Sequence, residues 1–285
     1  MASSETVRAR ISAIFSSLSR KQKQVARFVM DNEFLVSFAS AADVAKKIGI
    51  STATVVRFCQ TLGYEGYPDL QAAIRQSFPR SMTRIQRLEG RLASLMPEDN
   101  VPARVFANDI DNLKNTLELL DPTTLEAAVT EICQAAGILV VGEAVSAVPA
   151  TFLEISLKAM GLPVRAVTSG GASLSLELAL LRPSDLVVGI GFWRYSRETV
   201  EAMSWASEIG AKKIAITDSP VSPLAQLADH SFTVLTNGIA HSISPIAAIS
   251  LINTLVAAIS FQRPKQTLAA LRKVDDARKE KLMEQ

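Results

Sequence analysis

Along residues 41–62, AADVAKKIGISTATVVRFCQTL, the apolar positions recur three and four residues apart, the spacing of one face of a helix. Ala41, Val44, Ala45 and Ile48 form one such face, with Lys46 and Lys47 opposite. Gly49 accepts the positive φ that a sharp turn after a helix demands, and Ser51 is a natural N-cap. A second helix is therefore expected from Thr52. It turns Val55, Phe58 and Leu62 inward and leaves Thr52, Thr54, Arg57, Gln60 and Thr61 facing outward. A small residue at the crossing, a glycine turn and a polar leading face are the parts of a helix-turn-helix, whose second helix enters the major groove of DNA. In that reading Ser51, Thr52 and Thr54 meet phosphates or base edges, and Arg57 reaches a guanine or a phosphate. The same pattern also suits an ordinary helical hairpin in a core.

Helical periodicity extends on both sides of this stretch. Thr6 to Leu18 predicts a helix, Ser19 caps another through Val29, and Glu33 to Phe38 makes a short one. Gly63, Gly66 and Pro68 punctuate a loop before a helix from Pro68 to Phe78. Residues 79–100 read as a basic helical linker, and Ile110 to Leu120 and Thr124 to Ala135 as amphipathic helices, the second opened by Asp121 and Pro122. Beyond Gly137 the pattern changes to short β-branched runs alternating with helices. Strands are expected at Ile138–Val141, Val164–Val167, Leu186–Ile190, Lys213–Thr217 and Phe232–Leu235. Helices are expected at Ser146–Met160, Ser173–Leu181, Ser196–Ile209 and Ile246–Phe261. That alternation implies a parallel sheet flanked by helices, with flavodoxin-like layering. The expected organisation is an all-α helix-turn-helix domain over 1–79, a helical linker over 80–121, an α/β domain over 122–265 and a charged helical tail over 266–285.

Composition narrows the function classes. A chain of 285 residues with 48% hydrophobic and 20% charged residues is expected to be soluble and globular. The longest apolar run, Ile246 to Ile259, is broken by Ser250, Asn253 and Thr254 and is too short to span a membrane. With no secretion signal in the first residues, a cytoplasmic protein is expected. Cys59 and Cys133 lie far apart with no CxxC or Cys/His spacing, so neither a disulfide framework nor a zinc site is suggested; no metal and no cofactor are expected. The net charge of +2 conceals an asymmetry: residues 1–96 carry 14 Lys/Arg against 7 Asp/Glu, and residues 97–285 carry 16 against 21. The basic part holds the helix-turn-helix, as a phosphate-tracking module requires. Arg20, Lys21 and Lys23 fall in the first turn of their helix, where the helix dipole disfavours cations. Bound phosphate would relieve that conflict, which makes Lys21 and Lys23 candidate backbone contacts; solvation of a surface accounts for them as well.

With both halves in view, the segments LSRKQKQVARFVMDN, ATVVRFCQTLGYEGYPDLQ, YSRETVEA and GAKKIAITDSPVSPLAQLAD resemble the RpiR family of bacterial transcriptional regulators. The resemblance spans nearly the whole chain and implies an N-terminal helix-turn-helix joined to a SIS (sugar isomerase) domain. It implies a homodimer or homotetramer that binds double-stranded operator DNA and senses a phosphorylated sugar or related anionic metabolite. In the SIS pattern a Gly and a Ser after the first strand, and a serine-rich loop after the third, hold phosphate at a helix start. Gly142 and Ser146 match the first element. The second departs from it: Gly191, Phe192, Trp193, Arg194, Tyr195 and Ser196 stand where S-x-S-G-x-T is common. Two hydroxyls are lost, and a guanidinium able to grip an anion and an indole able to wall a pocket are gained. Arg194 and Trp193 suit either effector contact or an internal ion pair and packing. Ser196, Thr199, Thr217, Asp218 and Ser219 are expected to line the same cleft, with Ser196 as anion donor and Asp218 as hydroxyl acceptor; Thr199 also suits plain helix surface.

The SIS fold also serves sugar-phosphate isomerases, which need a base to move a proton between adjacent carbons. Glu143, His230 and His241 are the candidates, and no isomerase signature accompanies them. Glu143 equally suits binding a ligand hydroxyl. Shared fold does not confer chemistry, so no catalytic residue is assigned and regulation is the expected function.

Overall fold

The computed structural model describes residues 7–37, 39–77, 85, 88 and 100–278. The chain divides into two compact units, residues 1–111 with 237–243 and residues 112–236 with 244–285.

The first unit is helical: α1 (Val7–Ile14) with a 3-10 turn at Phe15–Ser17, α2 (Arg20–Asp31), α3 (Glu33–Val36), α4 (Ala41–Ile48), α5 (Thr52–Thr61), α6 (Tyr67–Ser77) and the start of α7 (Val101–Leu119). Helix starts follow the local code. Ser19 and Gln22 close a capping box on α2, and Ser40 and Asp43 close another on α4. Ile11, Val25, Val29, Val44, Val55, Phe58, Leu70 and Ile74 form the core, all fully buried. Between α3 and α4 the carbonyls of Val36 and Ala39 lack helical partners, and two side chains of α6 supply them. Tyr67 Oη donates to both at 3.1 and 2.9 Å, and Gln71 Nε2 donates to both at 3.0 and 2.8 Å. These four bonds keep buried acceptors from being stranded.

Most of the stretch expected as a basic linker, 79–84, 86–87 and 89–99, lies outside the described residues. The helix expected from Ile110 begins instead at Val101, where Asn100 Oδ1 accepts from Ala103 N. The division between the units falls inside this helix.

The second unit contains α8 (Pro122–Gln134), β1 (Ile138–Val141), a 3-10 turn at Ala144–Ser146, α9 (Ala147–Ala159), β2 (Val164–Val167), α10 (Ala172–Ala179), β3 (Leu186–Gly191) and α11 (Arg197–Ile209). It continues through β4 (Lys212–Thr217), α12 (Pro223–Leu227), β5 (His230–Thr233), α13 (Ile246–Gln262) and α14 (Pro264–Arg278). All five strands are parallel, in the order β2-β1-β3-β4-β5. Every residue of β1 and β3 is buried because both faces are covered. Leu139, Val141, Val187 and Ala215 pack with Leu174, Met203 and Leu224 of α10, α11 and α12. Side chains alternate along a strand, so Ile138, Val140 and Val188 turn to the opposite layer of α8, α9 and α13.

Strand β5 sits two residues earlier than the apolar run Phe232–Leu235 suggested. Its partner β4 ends at Thr217, which pairs with Thr233. Leu235 then has no strand beside it, and its N–H donates to Thr116 Oγ1 of α7 at 2.9 Å.

Candidate functional site

Two sites follow from the two units. In the helical unit, Gly49 ends α4 at φ +68°, and a Schellman pair closes the turn: Ile50 N donates to Ala45 O at 3.0 Å and Gly49 N to Lys46 O at 3.3 Å. Nothing lies within 4 Å of where a Cβ would stand, so the glycine answers to backbone conformation alone. Helix α5 follows with Val55, Phe58 and Cys59 buried. Burial also drives the Cys59 thiol up to about 12, which leaves it an inert core group.

The outward face of α5 differs from the expected one. Thr54 is buried, not exposed, because on a helix it stands only about 40° from Phe58 on the inner side. Its Oγ1 lies 2.8 Å from Ser51 Oγ, so Ser51 occupies the N-cap position while its hydroxyl serves Thr54 rather than a backbone N–H. Thr52, Ala53, Arg57 and Gln60 are exposed and Val56 is half-buried. Arg57 Nε donates to Ala53 O at 3.3 Å, which holds the arginine along the helix towards its leading end. Gln22 of α2 donates to Thr61 Oγ1 at 2.9 Å and ties the first turn of α2 to the last residue of α5. Exposed Arg20 and Lys21 adjoin that bond. Lys23 is half-buried, its ammonium 5.9 Å from the Phe15 ring centre.

In the α/β unit the strand order reverses between β1 and β3, and a sheet of this topology binds ligands beyond the carboxyl ends of its strands at that reversal. The loop after β1 starts at Gly142, where an added Cβ would meet Ser146 O at 2.9 Å, so the chain can fold back only on glycine. Ala144 and Trp193, one in each loop flanking the reversal, hold positive φ of 53° and 60° without being glycine. Such strain persists only where neighbours over-determine it. For Trp193 the restraint is Asp218 at the end of β4: Oδ2 accepts from Trp193 N and Oδ1 from Tyr195 Oη, each at 2.8 Å. Burial, with the Asp218 charge second, pushes the Tyr195 phenol well above its ordinary range. Asp218, expected as an acceptor for ligand hydroxyls, thus clasps the β3 loop with both oxygens.

Ser196 caps α11, its Oγ accepting from Thr199 N at 3.0 Å and lying 2.7 Å from Thr199 Oγ1. Thr199 was a candidate for the cleft wall or for helix surface; it is buried under α11 with that bond. Thr217 is fully buried as well and donates to Ser222 Oγ at 3.0 Å, one strand position behind the loop. Ser146 and Ser219 are buried, and Ser219 Oγ accepts from Val221 N. Arg194 is exposed. Across the cleft, Gly170 in the loop after β2 brings Glu143 and Glu198 together: an added Cβ there would stand 2.7 Å from Glu143 Oε1 and 2.7 Å from Glu198 Cγ. Gly170, Tyr195 and Glu198 were not singled out in the sequence; the Gly170–Gly171 pair directly after a strand was the available signal of close approach.

His230, a candidate base, begins β5 at the opposite edge of the sheet. Its Nε2 lies 3.3 Å from Glu131 Oε1, which also takes Lys212 Nζ at 3.2 Å. These residues line a cleft of about 840 Å³ at the amino ends of β3, β4 and β5. Among the described residues no group of three or more His, Cys, Asp or Glu is placed to hold a metal ion, and no single helix is long and apolar enough to cross a membrane.

Known proteins share this layout. Residues 6–81 match the helix-turn-helix domain of the rpiR family, and residues 131–261 match the SIS domain. An uncharacterized HTH-type transcriptional regulator of Haemophilus influenzae is 30% identical over 242 residues, 84% of this chain and 82% of the relative. The sugar isomerase domain of an RpiR transcription factor from Sphaerobacter thermophilus is 44% identical, with a TM-score of 0.61 over 62% of this chain and 99% of that one. The Vibrio vulnificus NanR protein complexed with ManNAc-6P has the same fold at 20% identity, with a TM-score of 0.61 over 97% of this chain and 99% of that one. A helix-turn-helix followed by a parallel SIS sheet, at these identities and coverages, places the chain in the RpiR family of transcriptional regulators.

Proposed function

We propose that the protein is a metabolite-responsive transcriptional regulator: α5 enters the major groove of a double-stranded operator, and the carboxyl edge of the SIS sheet binds a phosphorylated sugar or related anionic effector. The observation that carries the first half is the uncapped, solvent-facing α5 behind the Gly49 turn, with Thr52 and Arg57 outward and Arg20 and Lys21 beside its far end. Cations there engage phosphate, and counterion release supplies affinity. Lys23, turned towards Phe15, is the weaker of the two lysine contacts first expected. Thr54 positions Ser51 rather than touching DNA itself.

For the effector, Gly142, Ser146 and Ser196 supply the close backbone approach and the helix start, and exposed Arg194 supplies the positive charge. Glu143 accepts from ligand hydroxyls. Thr199, Thr217, Asp218 and Ser219 support the loops from behind. A pair of chains in a homodimer or homotetramer presents two reading helices to two half-sites, and effector occupancy alters their spacing.

The test is operator binding by the full chain at several salt concentrations, with a panel of sugar phosphates and sugar acids added. ManNAc-6P heads the panel because NanR binds it. Arg57→Ala is expected to weaken binding at least tenfold, as loss of a base or phosphate contact does. Arg194→Ala is expected to abolish the metabolite response while leaving effector-free DNA binding intact. Retention of both properties by both variants refutes the assignment. The meeting of Glu143 and Glu198 across Gly170 favours a second reading, proton transfer on a bound sugar, which aldose-ketose interconversion by the purified chain would reveal.

A further inference from the structure

We infer that the reading helix selects its target through thymine methyl groups as well as hydrogen bonds, with Ala53, Val56 and Gln60 as specificity determinants beside Arg57. The inference rests on the DNA-binding reading and names what that face recognises.

The outward stripe of α5 is Thr52, Ala53, Val56, Arg57 and Gln60, residues that share one side of a helix by their spacing. Two of the five are apolar. Among the described residues packed against the core of this unit, neither Ala53 nor Val56 is found, whereas Ile48 and Ile50 just before the helix are. In the free protein Ala53 is exposed and Val56 is only half-buried, so both keep apolar surface open to a ligand. On the edges of base pairs in the major groove, the C5-methyl of thymine is the one apolar group, and small apolar side chains are its complement.

Polar neighbours complete a mixed readout. Arg57 uses Nε on Ala53 O, which leaves its terminal nitrogens for the O6 and N7 of a guanine. Gln60, about one turn further along, carries the donor and acceptor that match N7 and N6 of adenine. From Ala53 to Gln60 the helix rises about 10 Å, roughly three base-pair steps. Recognition thus covers about four consecutive base pairs, with a thymine methyl against Ala53 or Val56, a guanine at Arg57 and an adenine at Gln60. Thr54 takes no part because it is buried against Ser51.

The experiment uses the full 285-residue chain. Duplexes are selected from a random pool, and each thymine of the winning sequence is then replaced singly by uracil, which removes only the methyl. One or two replacements are expected to weaken wild-type binding about fourfold, the value of one buried methyl. Val56→Ala is expected to bind the thymine duplex and at least one of those uracil duplexes equally. Gln60→Ala is expected to relax the choice at one adenine by about tenfold. Melting temperatures matching wild type show that both surface variants are folded. Indifference of the wild type to every uracil replacement overturns the inference while leaving DNA binding standing. So does a uracil effect that persists in both Val56→Ala and Ala53→Ser. A pool that yields no enriched sequence, with no salt-dependent duplex binding, overturns the DNA-binding reading and this inference with it.

Discussion

Asp218 shows how much one side chain can hold. Its two oxygens receive Trp193 N and Tyr195 Oη, and Trp193 is one of two non-glycine residues with positive φ among the described residues. Asn in its place removes the charge: its oxygen can still accept from Trp193 N, but its NH2 then faces Tyr195 Oη, whose hydroxyl must turn from donor to acceptor. Asp218→Asn is expected to destabilise the fold by about 1.5–3 kcal/mol, the range for hydrogen bonds to a charged group, read from chemical denaturation. Its Tyr195 phenol should ionise at lower pH than in the wild type, because the negative charge that opposes ionisation is gone. Asp121 gives a second prediction with a defined sign. Thr123 and Thr124 hydroxyls bond its carboxylate and hold it down to about 2, against an ordinary 3.8. A depressed carboxylate stabilises the fold fully above its unfolded value and loses that contribution as pH falls through the folded one. Asp121→Asn keeps the cap without the titration, so its melting temperature should decline less than that of wild type between about pH 4 and pH 2.

Elements depend on such residues at their ends. Helices α4 and α5 are both short, and short helices are marginal alone; the Gly49 turn holds them at their crossing. Because nothing crowds the missing Cβ, Gly49→Ala isolates the conformational penalty of φ +68°, about 1–2 kcal/mol. Denaturation should show that loss, and DNA affinity of the folded fraction should survive, since the alanine methyl points into open space. This glycine was evident in the sequence because a helix C-terminus leaves a local signature. The inner face of α5 was only partly evident: Val55, Phe58 and Leu62 were recognisable as apolar, but Thr54 reads as a surface residue by composition and is buried by position.

For the chain entire, two separate cores predict two separable responses to damage. Phe58 lies fully buried in the helical core and Leu139 fully buried in the sheet core. Phe58→Ala is expected to cost about 3–5 kcal/mol and Leu139→Ala about 2–5 kcal/mol. Calorimetry should show each substitution lowering a different transition, and a single transition shifted equally by both would refute independent cores. Charge follows the same division, with the basic balance in the first 96 residues.

Periodicity carried the fold because it is a local property. Apolar spacing of three to four residues, β-branched runs of four to six and the caps at Ser19, Ser40 and Asp121 each record the conformation of a short stretch of chain. Those signals were enough for an all-α module followed by a parallel α/β sheet, and they placed Gly142 at a turn, Ser196 at a helix start and Arg57 on the outward face of α5. Long-range contact determined the rest. Asp218 is 25 residues from Trp193, and Glu143 meets Glu198 only because Gly170 admits both. Thr199 and Thr217 look like cleft hydroxyls until the packing of α11 and α12 over the sheet buries them. A hydroxyl in a sequence carries no mark of whether it will face a ligand or a neighbour; that depends on which side of a buried sheet the helices close.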